Sequence, residues 1–166
     1  IFERFFNMEV EIRHANPQDM THVLRLIKEL ALFEKEPDQV VINLNDLLND
    51  GFNDPKRFTC FVAEKGVEIV GMALVYFRYS TWKGCSLHLE DLIVSEPYRG
   101  HGIGSQLLET VFAYGASKNV KRISWEVLDW NAPAIAFYKS KGAIIKEEWR
   151  VVHFPEKEIN KYKHYN

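Results

Sequence analysis

The stretch Arg99-Gly100-His101-Gly102-Ile103-Gly104 interrupts two regular patterns, an apolar run from Leu87 to Val94 before it and a helical one from Ile103 to Ser117 after it. A strand-to-helix corner of this composition suits phosphate. Glycines let the backbone approach a ligand closely, and the free amides at the start of a helix can converge on anionic oxygens. Arg99 adds positive charge. The corner lacks the lysine of a nucleoside-triphosphate loop and the acidic strand residue of a dinucleotide fold, and from the glycines alone a ligand-free tight turn is the alternative reading. Just upstream, Glu90 and Asp91 are adjacent acids inside an otherwise apolar strand. A regular strand would point them to opposite faces, so both reach one cavity only across a bulge or bend. Otherwise Asp91 lies at a wet edge and Glu90 pairs with a nearby base. Downstream, Tyr138 follows a proline-bearing helix start at Asn131-Ala132-Pro133 and offers a hydroxyl as a general acid, with simple packing as the alternative. Cys60 and Cys85 form no nucleophilic or metal-binding constellation and read as buried thiols, so no metal site is expected.

These groups must be positioned by a chain of 166 residues, long enough for one domain with a sizeable core, and 46% of it is hydrophobic. Lys+Arg number 21 against 23 Asp+Glu, a formal net charge of -2. No general attraction to nucleic acid or to an anionic membrane follows from that balance, and a cationic ligand must be recruited locally. No run approaches membrane-spanning length, and no signal peptide is visible. The expected location is cytoplasmic. The chain starts at Ile1, so Met8 is a candidate natural start, with residues 1–7 an upstream or added extension and 8–166 a single domain.

Alternation places a first strand over Glu9 to Arg13. Asn16-Pro17 starts a helix whose apolar face is Met20, Val23, Leu24, Ile27, Leu30 and Ala31. A short helix follows over Leu44 to Leu48, capped by Asn43 and stopping before Gly51. Phe58 to Glu64 and Glu68 to Tyr79 form a hairpin, and Cys85 to Val94 is the next strand. After the helix that leaves the glycine corner come a strand over Arg122 to Leu128, a helix over Ala132 to Lys139, and one or two strands within Ala143 to Phe154. The alternation argues for a mixed α/β sheet covered by helices.

Leu89-Glu90-Asp91-Leu92-Ile93-Val94, the glycine corner and Asp129-Trp130-Asn131-Ala132-Pro133-Ala134-Ile135-Ala136-Phe137-Tyr138-Lys139 together resemble the GCN5-related N-acetyltransferase superfamily. Within it, the chain is most similar to the diamine (spermidine/spermine) N1-acetyltransferases from about Val10 to Phe154. The resemblance implies a mostly antiparallel sheet splayed between strands 4 and 5, with helices on both faces. It implies acetyl-CoA as co-substrate, lying along Leu92, Ile93 and Val94, setting its pyrophosphate on Arg99, Gly100, His101, Gly102, Ile103 and Gly104, and reaching Asn131 and Tyr138. Tyr138 would protonate the leaving thiolate, Glu90 would serve the reacting amine, and Asp91 and Trp82 would help hold a small cationic acceptor. The resemblance also implies a homodimer. Where polyamine-acting members carry an aspartate, this chain has Ser80, in Tyr79-Ser80-Thr81-Trp82. That departure leaves room for a short diamine or a thialysine-like amine. A protein N-terminus or lysine as acceptor, and a non-catalytic acyl-CoA-binding module, are the competing expectations.

Overall fold

The computed structural model describes residues 9–164, so the expected extension at 1–7 and the Met8 start lie outside the described residues. The chain divides into two compact units, Ile1–Glu126 and Val127–Asn166.

The first unit is built on five strands in the order β1 (Val10–His14), β2 (Thr59–Lys65), β3 (Glu68–Ser80), β4 (Gly84–Val94) and β5 (Ile123–Ser124). Among the first four, each strand is antiparallel to its neighbours; β4 and β5 run parallel. Helices α1 (Met20–Phe33) and α2 (Leu44–Phe52) lie on one face. Their side chains Met20, Val23, Leu26 and Leu47 form a core with Cys60, Val62, Met72, Leu74 and Ile93 of the strands. Helix α3 (Ile103–Ser117) takes the other face, where Tyr114 meets the rings of Phe61 and Phe77, and Leu107 comes against Gly71. Alternation along each strand sends successive side chains to the two layers.

Both early helices start where their capping residues dictate. Asn16 caps a short 3-10 turn that leads into α1, and Asn43 caps α2, each in a reciprocal box with an aspartate three residues on. Arg13 of β1 ties this entry to the sheet, 2.7 Å from Asp19 and 2.6 Å from Glu64. Helix α2 does not stop before Gly51; it runs through it to Phe52. An added Cβ there would sit 2.7 Å from the Phe58 ring, so this glycine permits close packing rather than ending the helix.

Two further expectations are corrected. Strand β5 is confined to Ile123–Ser124, opposite Leu87 and His88, and does not continue to Leu128. β4 bulges immediately beyond that point, at Glu90, and a bulge bends and twists its strand away from regular pairing. The sheet therefore opens between β4 and β5. In the second unit, α4 (Ala132–Ser140) and the short α5 (Glu156–Ile159) form, but residues 143–154 contain no strand. Ile144 is 82% exposed and Val152 88%, and neither belongs to a paired strand. Cys60 is buried, its thiol pushed up to about 12 chiefly by burial, whereas Cys85 is exposed rather than buried as expected.

Candidate active site

The register between β3 and β4 places Leu74 opposite Asp91 and Val75 opposite Leu89, leaving Glu90 as the extra residue of a bulge. Asp91 is thereby brought to the face of Leu74, the layer covered by α1 and α2. Glu90 lies on that side too: its Oε2 is 3.6 Å from Nε2 of His88, which is paired with Tyr76. Two adjacent acids thus share one face, the arrangement a regular strand forbids.

Their surroundings differ. The Glu90 side chain is 52% exposed. The Asp91 carboxyl is pushed up to about 6 by burial first, then by the negative charges of Glu90 and Glu34. Glu34, at the C-terminal cap of α1, is itself raised by burial. It joins the acidic face although sequence reading gave it no role; a charged residue at a helix end looks like an ordinary solvated cap until the helix is seated on the sheet. Burial, followed by the neighbouring Glu90 carboxylate, also raises the Tyr76 hydroxyl.

At the end of β4, Leu92, Ile93 and Val94 lead to the glycine corner. Gly100 and Gly102 adopt left-handed backbone, φ +80° and +77°, and a Cβ added at either would meet no protein atom within 4 Å. Gly102 is the N-cap of the 15-residue α3, whose first-turn amides have no intrahelical partners. Open space, free amides and the positive helix end are together the cradle a pyrophosphate requires, so the residues present fit an acyl-CoA donor. Arg99 secures the corner from behind: Nε donates to the Val94 carbonyl at 2.8 Å, Nη2 lies 3.8 Å from Glu29, and the guanidinium sits over the Phe33 ring. His101 approaches the Arg99 carbonyl through Nδ1 at 2.9 Å. Glu29 of α1 also accepts from the Ser95 hydroxyl at 2.8 Å and the Glu96 amide at 3.1 Å. The corner is thus anchored to α1.

The remaining candidates are placed less decisively. Trp82 is exposed in the turn between β3 and β4, where Ser80 accepts from the Trp82 and Lys83 amides at 3.3 Å each. Ser80 therefore has a turn-forming role of its own. In the second unit Asn131 caps α4, its Oδ1 accepting from the Ala134 amide at 3.3 Å, and Tyr138 is a buried residue of the same helix. Among the described residues, no cluster of three or more His, Cys, Asp or Glu side chains could hold a metal ion. No helix among them is long and apolar enough to cross a membrane.

Residues 20–143 match the model of the acetyltransferase (GNAT) family. The chain belongs to that family. It is an N-acetyltransferase of the group in which acetyl-CoA is the acyl donor. The chain is 43% identical over 142 residues to thialysine N-epsilon-acetyltransferase of Bos taurus, covering 81% of this chain and 84% of the relative. It is 36% identical over 159 residues to spermidine/spermine N(1)-acetyltransferase-like protein 1 of Homo sapiens, covering 90% of this chain and 23% of that protein. Among solved structures, an integron cassette protein from the mobile metagenome of V. cholerae superposes with a TM-score of 0.77 at 25% identity, over 95% of this chain and 99% of that one. The GNAT fold, its mostly antiparallel sheet opening between strands 4 and 5, is the one observed.

Proposed function

We propose that this GNAT protein moves the acetyl group of acetyl-CoA onto a primary amine of a small cation, a diamine, polyamine or thialysine-like molecule, by direct transfer in a ternary complex. The observation that carries this reading is the bulge at Glu90, which turns two carboxylates to one face beside a corner suited to pyrophosphate. The substrates named for the relatives above support the choice of amine.

The residues divide the work. The amides from Arg99 to Gly104 hold the donor's pyrophosphate, and the Leu92 to Val94 backbone faces its thioester and donates to the oxygen that gains charge. Asp91, with Glu34, attracts the cation. Glu90, directly or through water, takes the proton that the ammonium must lose before its nitrogen forms a bond to the acetyl carbon. That loss costs about 4–5 kcal/mol at neutral pH for an alkyl amine. Neighbouring carboxylates favour the charged form, so turnover rises with pH. Tyr138, with Asn131 at the cap of its helix, completes the donor's binding, and its hydroxyl gives a proton to the sulfur as the carbon–sulfur bond breaks. Trp82 walls the acceptor side. Residues 8–166 act as one catalytic domain, the protein is a cytoplasmic homodimer, and it engages neither nucleic acid nor membrane.

The test is an amine panel followed by free-thiol release from acetyl-CoA, using putrescine, spermidine, spermine, thialysine and a neutral-tailed monoamine. Turnover of the dications well above the monoamine, lost in Glu90→Gln, is the expected result. Equal efficiency for all amines, unaffected by Glu90→Gln and Asp91→Asn, would sink the acidic-face model.

A further inference from the structure

Beside the proposed base stands a buried imidazole that the amine reading leaves unused. His88 is 6% exposed and lies on β4 two residues before Glu90, paired with Tyr76 of β3 and Ser124 of β5. Burying a polar ring this fully is costly unless its nitrogens are matched. The Tyr76 ring packs on it at 5.1 Å between centroids, Nη1 of Arg78 lies 3.2 Å from Nδ1, and the Ser124 hydroxyl is 3.4 Å from the same nitrogen. Nε2 faces Oε2 of Glu90 at 3.6 Å.

Arg78 decides which nitrogen carries the proton. A guanidinium has donors only, so Nδ1 accepts from it, and the neutral ring must hold its hydrogen on Nε2. The ring stays neutral at physiological pH: burial first lowers its pKa below the ordinary histidine value, and the Arg78 charge adds to this against the opposing pull of Glu90 and Glu126. Nε2–H therefore aims a donor at the Glu90 carboxylate. The other tautomer would set a lone pair against a carboxylate oxygen. The ring is no base for the amine either, since the nitrogen on the Glu90 side already holds its proton.

The two partners differ in freedom. Glu90 is the extra residue of a bulge and its side chain is half-exposed, whereas the His88 ring is buried. A separation of 3.6 Å exceeds a hydrogen bond by about 0.5 Å, a gap that a small rotation of the carboxylate closes. Catalytic hydrogen bonds of this kind tighten once substrate is bound.

We propose that His88 is a positioning residue: locked by Arg78 with its proton on Nε2, it donates to Glu90 and leaves the other carboxylate oxygen to face the amine, directly or through water. This rests on the acetyl-transfer reading above. Glu90 takes the proton that leaves the ammonium and releases it to water, and His88 keeps its own proton throughout.

The experiment follows thiol release from acetyl-CoA with thialysine, spermidine and putrescine. His88→Phe keeps a ring against Tyr76 without nitrogens, His88→Gln returns an N–H near the place of Nε2, and His88→Asn returns it near Nδ1. His88→Phe and His88→Asn should lower kcat by about 10- to 100-fold with little change in KM, and His88→Gln should recover most of the loss. In a Glu90→Gln background His88→Phe should lower kcat no further, because it acts through that carboxylate. The wild-type histidine 15N spectrum should show His88 as a neutral ring protonated on Nε2, and Arg78→Leu should bring in the second tautomer and lower kcat. Melting curves identify any His88 variant that does not fold, and the spectrum with Arg78→Leu decides without it. A wild-type ring protonated on Nδ1, activity that follows ring packing with His88→Phe nearest the wild type, or an equal loss with and without Glu90 overturns this proposal and leaves acetyl transfer standing. No thiol release with any amine overturns the acetyl-transfer reading and this proposal with it.

Discussion

Asp91 shows how a functional residue works against the fold that holds it. With its carboxyl pushed up to about 6 by burial and by Glu90 and Glu34, it binds a proton more tightly folded than unfolded, where a carboxyl titrates near 4. Its contribution to stability is full below the unfolded value and falls as pH rises through 6, so at neutral pH the ionised group costs the fold up to about 3 kcal/mol. Asp91→Asn should therefore raise the melting temperature at pH 7.5 and change it little at pH 4, while raising KM for dications. Equal shifts at both values would count against a buried, ionising Asp91. Tyr138→Phe keeps the ring and removes only the hydroxyl. It should lower kcat by about 100-fold with little change in KM, measured by thiol release, because the lost proton serves the chemical step. Full activity would return Tyr138 to packing. Neighbours in the chain were readable as a pair: Glu90-Asp91 demanded a bulge to act together, and the bulge is there. Glu34 was not, since the seating of α1 brings it to that face from more than fifty residues upstream.

At the scale of elements, the site depends on how closely β3, β4 and α3 approach. Gly71 pairs with Val94, and a Cβ added there would sit 2.9 Å from the Ile93 carbonyl oxygen and 3.2 Å from Leu107 of α3. The obstructing atom is backbone, which cannot swing aside as a side-chain end can. Gly71→Ala should cost about 1–3 kcal/mol and displace the strand end proposed to face the thioester. Calorimetry should find a lower melting temperature and titration a weaker acetyl-CoA affinity; a variant matching the wild type in both would show that the sheet yields easily here. This approach was invisible in a sequence that gave only a hairpin strand over Glu68 to Tyr79. Local signals succeeded where the determinant was local, as at Asn43, whose side chain caps α2 as expected. They failed at 143–154, where one or two strands were expected but pairing requires a distant partner.

At the scale of the molecule, a net charge of -2 offers no long-range attraction for a cation, so capture rests on the local field of Glu90, Asp91 and Glu34. Assembly is a separate question, and it turns on the second unit. Ile144, Trp149, Val151, Val152, Phe154, Ile159 and Tyr162 all remain exposed there. So many large apolar side chains in one short segment exceed what scattered surface residues account for, and concentrated exposure of this kind marks an association surface. A second copy of the chain is the partner that the proposed homodimer supplies. Light scattering at micromolar concentration should give about twice the 19.4 kDa of the single chain. Val152→Asp combined with Phe154→Asp should shift the mass toward the monomer, because each buried charge opposes association by several kcal/mol unless it is paired. A wild-type mass of 19.4 kDa at that concentration would refute the homodimer, and a dimer that survives the double substitution would place its interface outside Val152 and Phe154.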